Sequence, residues 1–321
     1  MRGRALLLAI VLALARPAAA QLAEPMQIRN LNPLVAIFGL PAWDLVTPGN
    51  RFSASLEIAN HFQFTAKGGE YLGLDGETAR TTLSFSHGFA DGWQFGAELP
   101  LFHIGGGVLD DVIDAWHSTF NLPDGGRNER PKNQLSFVLR HAGLTFFDLD
   151  DPQSGLGDLQ LKGARVFGAD RGFIVEAGVK LPTGDTEMLA GSGSVDEWLT
   201  LLRSRPLPDR RHPAGYYWGV GLMHVGDPDV IEFRSEQWVY TAIVGGSWQR
   251  WPRFGLKAQL DVHTRFYDSP LVEIGETAVE ATFGAWMQRR KDAQLEFALV
   301  EDLRVNTAPD VVLKIAAHWS W

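Results

Sequence analysis

The chain contains no cysteine. That absence excludes a disulfide scaffold, and it excludes a lipid anchor attached to a cysteine behind the hydrophobic start. Basic residues are also in short supply. Lys and Arg number 29 against 38 Asp and Glu, a formal net charge of -9, which argues against a nucleic-acid partner. After residue 21 no apolar run reaches the roughly 18 residues of a transmembrane helix, so a helical membrane span is excluded as well.

What the chain does have in quantity is glycine, 34 residues, and tryptophan, 11 residues. It opens on "MRGRALLLAIVLALARPAAAQ", in which Arg2 and Arg4 precede an apolar stretch from Ala5 to Ala15 and then Ala18, Ala19 and Ala20. A basic start, a short apolar core and small residues read as a secretory signal over residues 1–20, cleaved near Ala20. The exported chain then divides into a segment at 21–50 that enters or caps the periplasmic mouth, and a body at 51–321.

The body has a hydrophobic period of two. In "LKAQLDVHTRFY", Leu256, Ala258, Leu260, Val262 and Phe266 alternate with Lys257, Gln259, Asp261, His263 and Arg265. "FSASLEIANHFQF", "WQFGAELPL", "FIVEAGVKL", "QLEFALVEDL" and "VVLKIAAHWSW" repeat the pattern. The stretch 197–205 is ambiguous between strand and helix. Strands of about ten residues suit a transmembrane β-barrel, apolar toward lipid and polar toward the lumen.

Loop lengths support that reading. Counting back from Trp321, short turns near 289–293, 250–253 and 168–172 alternate with longer connections at 268–276, 226–236 and 182–196, and the departures are a rather long inner connection at 206–215 and a brief outer one at 304–310. Counting forward, 90–92 is a turn and 67–76 a longer loop. Parity then requires 102–156 to be one extracellular insertion, which leaves twelve spanning strands. Within it, 109–120 carries apolar residues at helical spacing, with Asp110, Asp111 and Asp114 early in the helix and turn residues at 123–127. "QLSFVLRH" and "LTFFDL" form a hairpin turning at Ala142-Gly143.

The expected class is therefore an all-β, antiparallel transmembrane barrel of about twelve strands with an extracellular helix-plus-hairpin insertion. Its lumen face carries Glu57, Arg80, Glu98, Lys162, Glu176, Lys180, Lys257, Asp261, Arg265, Glu280, Glu296, Arg304 and Lys314. Trp93, Trp238, Trp248, Trp251, Trp286, Trp319 and Trp321 fall near strand ends, where an aromatic belt would sit. The ending on Trp319 and Trp321 resembles the C-terminal signal by which outer-membrane barrels are recognised. The partners this implies are outer-membrane lipid and, through the last strand, the barrel-insertion machinery.

Particular stretches carry a family resemblance. "IRNLNPLVAIFGLP" (28–41), "LDGET" (74–78), "AWHSTFNLPDGGRNERP" (115–131), "GLGDLQL" (155–161) and "LPTGD" (181–185) together resemble a bacterial outer-membrane family, domain of unknown function 3187. The pattern "GLGD…LPTGD…GSGS" is also similar to barrels linked to meta-pathway phenol degradation. The resemblance implies an outer-membrane barrel and supplies no catalytic residue and no cofactor.

The functional expectation is passage of a small solute, with an apolar or aromatic one favoured by the second likeness. Two alternatives remain: an interfacial hydrolase, and a structural or interaction barrel with a blocked lumen. A hydrolase would need a Ser or Asp near a His at the outer rim. Ser118 and His117 are adjacent on a helix and point apart, and no G-x-S-x-G elbow occurs. His117 with Asp110, Asp111 and Asp114 reads as a solvated helix face rather than a metal site. "PTGDTEMLAGSG" lacks the phosphate-loop pattern and reads as a flexible loop.

Overall fold

The computed structural model describes residues 24–120, 130–168, 170–207, 213–231 and 234–321, with the side chains of 112, 116, 117, 120 and 250 excepted. The expected signal at 1–20, the turn at 123–127 and the His117 side chain lie outside these. Fifteen strands form one sheet: β1 (Gly49–Lys67), β2 (Glu70–Gly88), β3 (Trp93–Gly105), β4 (Ser136–His141), β5 (Leu144–Leu149), β6 (Gln153–Leu156), β7 (Leu159–Phe167), β8 (Phe173–Leu181), β9 (Asp196–Leu207), β10 (Ala214–His224), β11 (Trp238–Trp251), β12 (Phe254–His263), β13 (Ala278–Arg290), β14 (Ala293–Asp302) and β15 (Val311–Ser320). The ring runs β1–β2–β3 and then β7 to β15, all antiparallel, and β15 pairs back onto β1 from Arg51↔Ser320 to Asn60↔Val311. This is a closed twelve-stranded barrel. Closure leaves no open edge, the condition for a sheet in lipid. The end carrying Trp321 is called the inner end below, and the opposite one the outer end.

Alternation places large apolar side chains outside. Phe85, Phe95, Leu199, Val220, Val244, Phe283 and Phe297 are all exposed on the outward face. The ambiguous stretch 197–205 belongs to β9, because its Trp198, Thr200 and Leu202 are buried while Glu197 and Leu199 are exposed. Trp286 corrects the expected aromatic belt. It is 1% exposed and faces the lumen, on the same face of β13 as Glu280 six residues away. The residue opposite is Gly255, where even a Cβ would meet the indole at 2.5 Å.

β1 and β2 are each 19 residues long, nearly twice the ~9–11 that a span needs. Their outer halves rise beyond the ring, joined by the Gly68-Gly69 turn, where both φ angles are positive. The expected loop at 67–76 is thus mostly strand. β4 and β5 form the expected hairpin, with Ala142 and Gly143 at φ 49° and 82°, and β4 pairs with Glu70–Asp75 of β2. β6 pairs with the outer end of β3. Helix α2 (Asp110–Phe120) stands beside them, where Lys132 bridges Asp111 and Asp114, and Asp110 accepts from Asn60 and the Asn133 amide. No described helix is long and apolar enough to cross a membrane.

Residues 24–48 contain only the one-turn helix α1 (Pro33–Ala36). Almost all are buried, including Met26, Leu31 and Leu34 at 0% exposure. They lie inside the barrel and do not cap its inner mouth.

Candidate functional site: a lumen filled by the N-terminal hairpin

The wall contacts trace the course of the segment. Glu24 pairs with Arg51 at the inner end. Higher up, Met26 exchanges two 2.8 Å hydrogen bonds with the Gln259 amide, and Lys314 donates to the Gln27 carbonyl. Arg29 meets Glu98 at 2.6 Å. At the outer end Asn32 caps α1 by accepting from Leu34 N, with Pro33 in the first turn, and donates to the Glu273 carbonyl. The chain then turns and descends. Gly39 N donates to Asp196 at 2.9 Å, Asp44 meets Lys162 at 3.2 Å, and Thr47 N donates to Gln94 at 3.1 Å, just before β1. Arg29 Nε ties the two arms together through the Leu40 carbonyl at 2.8 Å. Among the described residues, no backbone-to-backbone hydrogen bond joins 24–48 to a barrel strand.

The outer half of the lumen is apolar. Phe38 stacks on Phe266 (centroids 4.7 Å, planes 10° apart) and leans on Tyr267 at 5.7 Å. Leu72, Phe137, Trp198, Met223 and Val239 belong to the same buried cluster. The hydroxyl of Tyr267 donates to the Leu34 carbonyl at 2.9 Å, so the seat and its occupant are also joined by a polar bond.

Below the seat is a polar knot. Lys180 Nζ donates to Asp158 (2.6 Å), Ser192 Oγ (2.5 Å) and the Ser194 carbonyl (2.9 Å), and lies 3.3 Å from Asp196. Asp158 also accepts from the Gly184 and Ser192 amides, and Asp196 from Gly39 and Gly226. This corrects the reading of 182–194 as a flexible loop. Its Ser192 and Ser194 are buried, because burying the Lys180 ammonium requires oxygen ligands around it. The motif "GLGD…LPTGD…GSGS" supplies Asp158, Gly184, Ser192 and Ser194, all gathered on one lysine.

Several of the other charged residues expected in the lumen form ion pairs. Glu57 meets Lys314 at 3.2 Å and Lys257 meets Glu296 at 2.6 Å. Arg80 lies 3.5 Å from Glu98, and Glu176 accepts from Trp198 Nε1 at 3.2 Å. Asp261 and Glu280 also face inward, as cross-strand neighbours. Arg265 and Arg304 are elsewhere: both lie in outer loops, exposed, paired with Glu236 and Glu276 respectively. β12 ends at His263 and β14 at Asp302, so the alternation no longer aims the side chains that follow. Trp319 and Trp321 are exposed on the outward face of the inner rim.

Sequence reasoning missed Phe38, Asp158 and Asp196, none of which stands out by periodicity. It also missed His103 and Ser154, exposed at the outer end of β3 and on β6, with Nδ1 and Oγ 2.8 Å apart. A concavity of about 610 Å³ lies on the outward face among Leu56, Phe283, Phe297 and Leu313. It belongs to the lipid surface. One void inside the lumen, beside Asn30, measures only about 20 Å³.

A closed twelve-stranded sheet with an apolar exterior and a charged, plugged interior defines an outer-membrane β-barrel. Its family follows from the sequence match. The chain belongs to the family described as protein of unknown function DUF3187, whose model matches residues 4–321. No curated protein matches the sequence. Among solved structures the chain is similar to the COG4313 outer membrane channel from Pseudomonas putida F1, with TM-score 0.53 and 13% identity over 92% of this chain and 100% of that one. It is more loosely similar to the NanC porin (TM-score 0.45, 11% identity, 85% and 100% covered) and to the P. putida toluene transporter TodX (0.40, 12%, 91% and 93%). The first likeness concerns the fold, and the other two are too loose to argue from.

Proposed function

We propose that the protein is an outer-membrane channel for a small apolar or aromatic solute, held closed at rest by residues 24–48. The observation that carries this reading is the seating of Phe38. An aromatic side chain on a non-covalently held segment occupies an aromatic seat, formed by Phe266 and Tyr267, at the outer end of the lumen. A flat apolar solute is a chemical match for that seat and competes with Phe38 for it. Displacing Phe38 weakens the hold on the tip, after which the remaining ties are side-chain bonds that exchange one at a time.

The test is flux into liposomes. Protein lacking 24–48 admits small aromatic solutes such as phenol or toluene faster than the intact protein, and Phe38→Ala has an intermediate effect. Intact and shortened proteins that are equally impermeable would support a structural barrel with a blocked lumen instead.

The second reading, an interfacial hydrolase, rests on Ser154 and His103 at the outer rim. Their 2.8 Å contact joins directly opposed residues of β3 and β6, and no described acid bonds the other ring nitrogen to orient it. Loss of any phospholipid hydrolysis in Ser154→Ala would favour this reading. Activity unchanged in that variant would sink it.

A further inference from the structure

The outward face of the barrel changes charge from end to end. Along β9, Glu197 is exposed at the outer end, and Arg203 and Arg205 follow on the same face toward the inner end. β7 carries Arg165 outward in the same way, directly opposite Trp93 of β3. Among the described strand residues no carboxylate faces outward at the inner end. Glu57, Glu98, Glu176, Asp261, Glu280 and Glu296 all point into the lumen.

Arg165 and Arg203 belong to one cation–aromatic row across β3, β7, β8 and β9. The Arg165 guanidinium carbon lies 4.8 Å from the Trp93 ring centroid and 5.4 Å from that of Phe167. Phe167 opposes Phe173, and Phe173 opposes Arg203, whose guanidinium carbon is 4.3 Å from the Phe173 centroid. The aromatic faces hold both guanidinium groups in place. Their counter-charges differ. Arg203 Nη1 donates to the Asp170 carboxylate at 3.0 Å, whereas no described carboxylate lies in salt-bridge range of Arg165. Arg171 and Arg205, both exposed at the same end, have none either. Arg171 reaches from the β7–β8 turn to the β2–β3 turn, where a Cβ on Gly92 would lie 2.9 Å from its Nη2.

We infer that this row is a docking surface for an anionic phospholipid, with the lipid phosphate on Arg165 and the acyl chains along the apolar wall. The outward face of a membrane barrel meets lipid, so the counter-charge that Arg165 lacks comes from a lipid. Trp93 and the other rim aromatics mark the level at which headgroups lie. A guanidinium left unpaired on the lipid side of the wall is unfavourable, and stacking leaves its N–H edge free to donate to phosphate oxygens. Leu161 and Leu199, exposed on the same face toward the outer end, offer the acyl chains an apolar surface. A zwitterionic headgroup would bring its own ammonium up to Arg171 and Arg205. A net-negative headgroup such as phosphatidylglycerol brings none, so the row selects by headgroup charge.

The inference stands whether or not the barrel conducts, and its test reads lipid binding rather than flux. Purified protein is placed in micelles doped with phosphatidylglycerol or with phosphatidylcholine of the same acyl chains. Lipid retention is followed by native mass spectrometry, and stability by melting. The wild type retains phosphatidylglycerol in preference and melts a few degrees higher with it, and high salt shrinks the preference. Arg165→Gln lowers phosphatidylglycerol retention about fivefold, the worth of one basic side chain at an anionic lipid surface. Its phosphatidylcholine retention, and its melting in that lipid, stay as in the wild type. Arg165→Lys keeps part of the preference. Arg140→Gln, which removes an exposed arginine paired with Asp148 at the outer end, keeps all of it. Equal retention of the two lipids by the wild type overturns the proposal, as does a preference undiminished in Arg165→Gln. A wild type stabilised as much by inorganic phosphate as by phosphatidylglycerol also overturns it, since the row would then hold a free anion rather than a lipid.

Discussion

Wall and plug are built from one chain but held by different forces. The wall is a continuous backbone ladder, with every ring strand paired on both sides. Breaking it in a bilayer exposes peptide groups to lipid at several kcal/mol each. The plug has no described backbone bond to that ladder and is held by ion pairs, amide contacts and the Phe38 stack. Such contacts contribute about 0.5–3 kcal/mol net apiece and exchange individually. The difference teaches that burial and stability need not go together. In the proposed channel, residues at 0% exposure inside this lumen belong to the element that opens first.

Several variants break or sharpen that contrast. The largest effect is expected from deleting 24–48: the lumen opens in planar bilayers while the barrel keeps its heat-modifiable migration in gels, because the ladder is untouched. Next comes Glu98→Gln. Glu98 receives Arg29 at 2.6 Å and lies 3.5 Å from Arg80, so the change leaves buried guanidinium groups uncompensated, at a cost of about 3–5 kcal/mol. That cost falls mainly on the plug. Arg29 is the only trypsin site within 24–48, so faster cleavage there with little change in barrel melting is the expected result.

Trp286→Ala acts the other way. It empties a wall site facing Gly255 and lowers barrel melting, with a loss of roughly 3–5 kcal/mol. Cleavage after Arg29 below the melting range should change little. The smallest effect concerns the inner-end turn, where hydrogen bonds from Arg203 hold the Asp170 carboxyl down to about 2. A carboxyl depressed in the folded state contributes stability above its unfolded pKa, near 4. That contribution is lost as pH falls toward 2. The pair is exposed, so Asp170→Asn should lower melting at neutral pH only slightly and leave melting near pH 2 unchanged.

The wall was legible in the sequence because a ladder imposes a period of two over ten or more residues. Strand parity also located the insertion, where the Ala142-Gly143 hairpin and helix α2 lie. Alternation failed at Arg265 and Arg304, just past the strand ends. Trp286 was misassigned although it shares a face with Glu280, because its place near a strand end was weighed above its parity. The plug could not be read that way. Its extended arms have no partner strand, and its contacts join residues such as Met26 and Gln259 that are 233 positions apart. Asp158 and Ser192 sat in a visible motif, but their purpose required seeing Lys180 between them.

The central claim, that the plug and not the wall closes the lumen, has a direct test that the absence of cysteine makes clean. A Cβ on Gly39 would lie 3.5 Å from the Asp196 Cβ, at the short end of the roughly 3.5–4.5 Å range for a disulfide, and 2.9 Å from the Lys180 Cβ, so the tip must shift slightly away from Lys180 to admit it. Single-channel conductance of Gly39→Cys/Asp196→Cys is recorded oxidised and then reduced on the same membrane. The account predicts silence while the disulfide pins the tip, and openings after reduction that approach those of protein lacking 24–48. Equal conductance before and after reduction would contradict it.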